Sequence, residues 1–127
     1  MERLLGRYSS YIYALLRIVA GLLFLQHGLQ KLFGIPGTQP PVDVMTQAGL
    51  AGVIETIGGI LIALGLFTSP VAFIASGEMA VAYFQVHAPR GFWPMMNGGE
   101  LAALYCFIFL YFAAVGSGKW SVDSLRK

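Results

Sequence analysis

The sequence contains few charged residues and few of the side chains on which soluble enzymes depend. Only 11% of its 127 residues are charged, and the net charge of +2 is too small and too scattered for a nucleic-acid-binding surface. The single cysteine, Cys106, excludes an internal disulfide and a CxxC redox pair. The sequence also has no glycine-rich phosphate loop, dinucleotide fingerprint or nucleophile elbow. The common signatures of soluble catalysis are therefore missing.

Apolar side chains dominate instead, at 57% of the sequence and a mean hydropathy of +0.70. They form four segments, at approximately residues 11–33, 48–67, 70–87 and 99–115, each near the length that crosses a hydrocarbon core. Glycine and proline punctuate the connections, and Ser69 before Pro70 is predicted to cap the third segment. We therefore expect residues 1–127 to form one all-α integral membrane domain, a bundle of four transmembrane helices.

Lysine and arginine are distributed unevenly between the two ends of this predicted bundle. The end that carries both termini has most of them: Arg3, Arg7, Lys119, Arg126 and Lys127. The opposite end has Lys31 and Arg90. Because positive residues favour the cytoplasmic side, both termini are predicted to be cytoplasmic. The first apolar run is longer than the apolar core of a signal peptide, so we expect it to be retained.

Ionisable side chains at bilayer depth are expensive and usually face a partner or a cavity. The helical rise places Arg17 roughly 9 Å and Glu78 roughly 12 Å from the cytoplasmic end. We therefore predict a structural ion pair, Arg17–Glu78, that fixes the helix register. A proton path or a contact with a lipid headgroup is the alternative for this pair.

A second group is predicted near the outer boundary, where His27, Glu55, Glu100, His87 and Arg90 fall at similar depths. Histidine and carboxylate side chains can exchange protons near neutral pH, so His27, Glu55 and Glu100 are the candidate catalytic residues. A regular third helix would point His87 away from the others, unless it unwinds before its end. A structural histidine bonded to a carboxylate is the simpler alternative.

A metal site is a further alternative for the same residues. Histidine and carboxylate are acceptable ligands for first-row metals, and Met95 and Met96 would suit Cu(I). The ligand spacing is not diagnostic, because the residues come from different segments, so we assign no metal ligands. Cys106 is interpreted as a packing residue. The small residues Gly52, Gly58 and Gly59 share the Glu55 face and predict a close helix contact, within the chain or in a homo-oligomer.

Three stretches of the sequence resemble the DoxX family. The first is residues 17–21 (RIVAG) with residues 26–34 (QHGLQKLFG). The second is Glu55 with Gly58, Gly59 and residues 64–66 (LGL). The third is residues 86–100, with residues 120–123 (WSVD) near the end. The resemblance covers nearly the whole chain in order, and it implies a four-helix protein of the bacterial inner membrane that acts as an oxidoreductase or redox subunit.

The resemblance also implies chemistry, because some relatives act with quinones or in thiosulfate oxidation, and others in oxidative-stress complexes or partner maturation. On that basis we expect a quinone, flanked by the proposed cofactor-binding residues Phe24, His87, Arg90 and Trp93. The protons that a quinol releases would pass to His27 and Glu55. Two other functions stay open: a non-catalytic assembly subunit for a partner redox or maturation protein, and a small transporter.

Overall fold

The computed structural model describes residues 1–126, and that part of the chain is helical without any β-strand. The α-helices are α1 (Glu2–Leu5), α2 (Ser9–Phe33), α3 (Gln47–Leu64), α4 (Thr68–Ala82), α5 (Pro94–Asn97), α6 (Glu100–Val115) and α7 (Val122–Leu125). Two 3₁₀ turns, Gly6–Tyr8 and Ala88–Arg90, and one π-helical turn, Tyr83–His87, complete the helical elements. The prediction of an all-α fold is confirmed.

Four of these helices lie where the apolar segments were predicted. The continuous helical segment Glu2–Phe33, which comprises α1, the first 3₁₀ turn and α2, is long and apolar enough to cross a bilayer. The same is true of α3, whereas α6 is a shorter apolar helix. The helix α4 is extended by the π turn and the second 3₁₀ turn as far as Arg90. Left-handed glycines end two of the helices, Gly34 at φ 72° and Gly65 at φ 70°, because such a conformation strains other residues.

The helices α2 and α3 pack with their backbones in contact. A Cβ atom added to Gly21 would lie 2.6 Å from the Ala63 nitrogen, and one added to Gly59 would lie 2.7 Å from the Gly21 oxygen. Such small residues allow the close helix approach seen in membrane bundles. The predicted glycine contact is thus made within the chain, so these glycines are not free to join a second copy.

The helices α4 and α6 form a second pair, and the two pairs meet around buried aromatic rings. Tyr105 stacks on Phe109 with centroids 5.2 Å apart, and Phe24 from α2 meets Phe109 at 4.7 Å. The Ser76 hydroxyl of α4 donates to the Cys106 carbonyl of α6 at 2.7 Å. Cys106 is a partly buried residue of this helix contact.

The start of α4 is held by the C-terminal tail rather than by its own side chains. The Asp123 carboxylate accepts from the backbone N–H groups of Phe67 at 3.1 Å and Thr68 at 3.4 Å. The prediction that Ser69 caps this helix is wrong, because the helix begins at Thr68, two residues before Pro70, and the Ser69 hydroxyl donates to the Ala113 carbonyl at 2.6 Å. A residue 55 positions away provides the cap.

Arg17 is completely buried and binds this same tail. Its guanidinium donates to the carbonyls of Ile62 (3.0 Å), Lys119 (2.8 Å), Trp120 (2.6 Å) and Ser117. The predicted Arg17–Glu78 ion pair is therefore wrong. Residues 117–120, which follow the last predicted span, fold over the end of the bundle and supply three of the four carbonyl acceptors.

Candidate functional site

A cavity of about 280 Å³ lies between the two helix pairs, towards the end of the bundle opposite the termini. It brings together four residues predicted for the site: Phe24, His27, Glu55 and His87. The other lining residues are Lys31, Met79, Ala82, Gly98, Leu101, Ala102 and Tyr105. The cavity thus combines aromatic walls with a cluster of ionisable side chains.

His87 reaches the cavity because the third long helix changes its winding. The π turn Tyr83–His87 rotates the last residues relative to a regular α-helix, which is the condition under which His87 was expected to join the cluster. The buried Asn97 side chain holds this end in place, since it donates to the Tyr83 hydroxyl at 3.2 Å and the Gly91 carbonyl at 2.9 Å. The His87 Nδ1 atom lies 3.2 Å from the Asn97 carbonyl. Single π turns often occur at functional sites.

Glu55 is the acidic residue among those that line the cavity, and its side chain is only 1% exposed. One carboxylate oxygen, Oε1, binds the Lys31 ammonium at 2.6 Å. The other, Oε2, is buried without a hydrogen-bond partner in the described part of the chain. Sequence reasoning missed Lys31 as the partner of Glu55, although Lys31 shares a helix face with His27.

Tyr105 was also missed, and it supplies a second buried polar atom to the cavity walls. Its side chain is 4% exposed, and its hydroxyl has no hydrogen-bond partner among residues 1–126. The His27 ring meets the Tyr105 ring edge-on, with centroids 6.2 Å apart. Tyr105 follows Ala102 at helical spacing and precedes Phe109, so the buried face of α6 contains it.

Glu78 lies beside this cluster instead of beside Arg17. Both of its carboxylate oxygens are buried and have no hydrogen-bond partner in the described structure. Glu55 and Lys31 are the charged side chains that interact electrostatically with the Glu78 carboxyl group. The three residues Lys31, Glu55 and Glu78 thus form a triad of one ammonium and two carboxyl groups, in which the Glu55 side chain and the Glu78 oxygens are buried and the Lys31 side chain is 36% exposed.

Three predicted site residues lie elsewhere, and placing them in this cluster was wrong. Glu100 is exposed and lines a surface cleft with Pro94, Leu104 and Phe107. Arg90 is exposed, and Trp93 is 66% exposed and packs edge-on against Phe92. The face of α6 that carries Glu100 points outward, because the buried face is formed by Ala102, Tyr105, Phe109 and Phe112.

The side chains that could bind a metal ion are not grouped together in the described part of the chain. Within residues 1–126, no three His, Cys, Asp or Glu side chains lie close enough together to hold one. Met95 and Met96 are each 78% exposed on the surface.

Comparison with known proteins gives a consistent family. The sequence model of the family described as DoxX matches residues 12–88. An uncharacterized protein of Haemophilus influenzae is 46% identical, with 94% of each chain covered. The Escherichia coli "Inner membrane protein YqjF" is 30% identical over 86% of this chain and 87% of its own. The Bacillus subtilis "Putative oxidoreductase CatD" is 29% identical, over 86% of this chain and 82% of its own. No solved structure matches the chain significantly.

Proposed function

This chain belongs to the DoxX family of membrane proteins, and from that premise we propose that its cavity is a quinone-linked, proton-accepting redox site. The protein is a multi-pass protein of the bacterial inner membrane. The oxidoreductase class is supported by the name of one relative. The site chemistry is supported by the residues of the cavity.

The proposed membrane arrangement has four crossings, made by α2, α3, α4 with its extension to Arg90, and α6. Both termini are then cytoplasmic, as the distribution of lysine and arginine favours. The cavity with His27 and Glu55 would lie near the outer side. Reporter fusions after Val115 and within residues 37–45 test this arrangement, because opposite orientations of the two reporters are expected.

One observation carries the functional proposal: two buried polar atoms that have no hydrogen-bond partner among residues 1–126 belong to residues that line the same cavity. These are the Tyr105 hydroxyl and the Glu55 Oε2 atom, and the Glu55 carboxyl group also has the Glu78 carboxyl group as a neighbour. Buried polar groups are normally hydrogen-bonded, and leaving one unpaired costs about 1–3 kcal/mol. A ligand with both a hydrogen-bond acceptor and a hydroxyl donor would satisfy them. A quinone–quinol couple has such groups, and the aromatic wall at Phe24 suits its ring.

The residues of the cavity can then divide the chemistry between them. A bound quinol supplies two electrons and two protons on oxidation. The Tyr105 hydroxyl donates a hydrogen bond that orients the ring oxygen. The Glu55 carboxylate, which is paired with the Lys31 ammonium, and the His27 imidazole accept the protons. The electrons leave to a partner redox protein, so the chain acts as the quinone-binding subunit.

The test is quinone binding by the purified protein in lipid nanodiscs, measured with a ubiquinone or menaquinone analogue. We expect saturable binding that Glu55→Gln and His27→Ala weaken, while circular dichroism shows that both variants remain folded. Glu2→Gln is the matched control, because Glu2 is an exposed carboxylate in α1. The absence of saturable binding, or equal binding by the cavity variants and the wild type, would refute the proposal.

An assembly role is the second candidate, and the exposed loop after the π turn favours it. Phe92 is 82% exposed, and Trp93, Met95 and Met96 are also exposed, at 66% or more. Neighbouring exposed apolar side chains of this kind often mark an interaction surface. The same residues could instead belong to an interfacial aromatic belt. Loss of a co-purified redox or maturation protein in Phe92→Ser would support assembly. An unchanged set of co-purified proteins would assign the patch to lipid.

A further inference from the structure

A groove of about 460 Å³ runs between α3 and α4, outside the cavity described above. Most of its wall is apolar, with Ala51, Ile54, Ile74 and Val81. Its polar residues are Lys31, Glu78, Gln47 and Gln85. The groove therefore combines a surface suited to lipid with a polar route along one side.

Lys31 connects the groove with the redox cavity, since this side chain lines both. It binds Glu55 on the cavity side, and Glu78 lines the groove. The triad has two carboxyl groups for one ammonium, so one negative charge is left without a compensating partner. Such a charge is costly in a medium of low dielectric constant, and a proton on one carboxyl group removes it.

We propose that Glu78 is the proton-exchange residue of the site, which takes protons from Glu55 and releases them through the groove between α3 and α4. Glu78 first gives its proton to water. The Glu55 O–H bond then breaks, an O–H bond forms on the Glu78 carboxylate, and Glu55 returns to its ion pair with Lys31. No electron moves. The role of Glu78 in turnover depends on the function proposed above, whereas its proton binding does not.

The exit of the groove is polar and reaches the surface. The Gln47 side-chain amide donates to the Gln85 side-chain oxygen at 2.5 Å, which joins the start of α3 to the π turn. Both glutamines are exposed. Besides the triad, three ionisable groups line the cavity from the neighbouring elements: His27 on α2, His87 on the π turn and Tyr105 on α6. Glu78 is the carboxyl group that lines the groove.

The direct test is labelling with N,N′-dicyclohexylcarbodiimide, an apolar reagent that reacts with protonated carboxyl groups within membranes. We expect peptide mapping by mass spectrometry to find the adduct on Glu78, and its rate of formation to fall as the pH rises. Glu78→Gln should abolish the labelling, and Glu78→Asp should keep it. Labelling on Glu55 or Glu100 instead, or a rate independent of pH, would overturn the proposal.

Turnover separates this inference from the proposed function. In membranes that oxidise quinol through the protein, Glu78→Gln should keep quinone affinity but lower the rate by about 10²-fold, the usual scale for losing an acid–base group. Glu78→Asp should recover part of the rate and shift its pH profile. If the quinone does not bind at all, the proposed function fails while pH-dependent labelling of Glu78 still stands. Full turnover in Glu78→Gln would overturn the relay alone.

Discussion

Replacing Tyr105 by phenylalanine removes one oxygen atom from the cavity wall and little else. The Tyr105 hydroxyl is buried and has no partner within residues 1–126, so its removal takes no hydrogen bond away from the ligand-free protein. We expect the free energy of unfolding to stay unchanged or to rise by up to about 1 kcal/mol, since an unpaired buried hydroxyl is itself unfavourable. Quinone affinity should fall by about tenfold, which corresponds to about 1.4 kcal/mol for one lost hydrogen bond.

Tyr13 provides the matched control for this substitution. Its hydroxyl donates to the Gly116 carbonyl at 2.6 Å, so Tyr13→Phe should lower the free energy of unfolding by about 1 kcal/mol and leave quinone affinity unchanged. Denaturant unfolding in detergent micelles measures the first quantity, and titration with a quinone analogue the second. If Tyr105→Phe destabilises the protein as much as Tyr13→Phe, the Tyr105 hydroxyl has a partner and the reasoning is refuted.

Three further predictions concern the scaffold. Gly21→Ala should lower the free energy of unfolding by about 1–3 kcal/mol, because the added methyl group overpacks against Ala63. Gly77→Ala is the control and should leave that free energy unchanged, since no atom lies near the added Cβ. Chemical unfolding of both variants measures the difference. Arg17→Lys should lower the free energy of unfolding by about 1.5–3 kcal/mol, because lysine cannot donate to all the carbonyls that the guanidinium binds. Faster tryptic cleavage after Lys119 would show that the C-terminal tail is no longer held. The pKa of Asp123 is held below its usual value, mainly by the Ser117 hydroxyl and then by the Phe67 N–H, so its stabilising effect is complete at neutral pH and is lost as the pH falls through its lowered pKa. Asp123→Asn should flatten the acid limb of a stability–pH curve, and an unaltered limb would contradict the assignment.

The sequence predicted the helices well where one face was marked by small or charged residues. The buried face of α2 contains Arg17, Gly21, Phe24 and Gly28. The Glu55 face of α3 is buried as well. In both helices, glycines and ionisable residues are rare enough in an apolar segment to show which side avoids lipid.

The prediction failed on α6, where both faces are apolar. Residues that face lipid and residues that face the core are then equally hydrophobic, and Glu100 at the first turn was a misleading guide. The true inner face is marked by Tyr105 and Phe109, but aromatic residues are common on either side. Helical periodicity alone could not show which of the two faces of α6 is buried.

The partners of the charged residues were the hardest part to predict. Arg17 and Glu78 were matched by depth, which assumes that opposite charges pair whenever they lie at the same level. The actual Arg17 acceptors are backbone carbonyls, and these leave no trace in the sequence. Glu78 instead joins Glu55, another carboxyl group, which charge complementarity argues against.

The binding of Arg17 by the C-terminal tail also has a consequence for how the protein is inserted into the membrane. The guanidinium enters the membrane with α2, yet its partner Ser117 comes 100 residues later in the chain. Until the ribosome has produced that segment, the nascent helix carries a cation that lipid solvates poorly. We expect an unfinished chain to hold this helix near the translocon, and completion of the tail to release it into the bilayer.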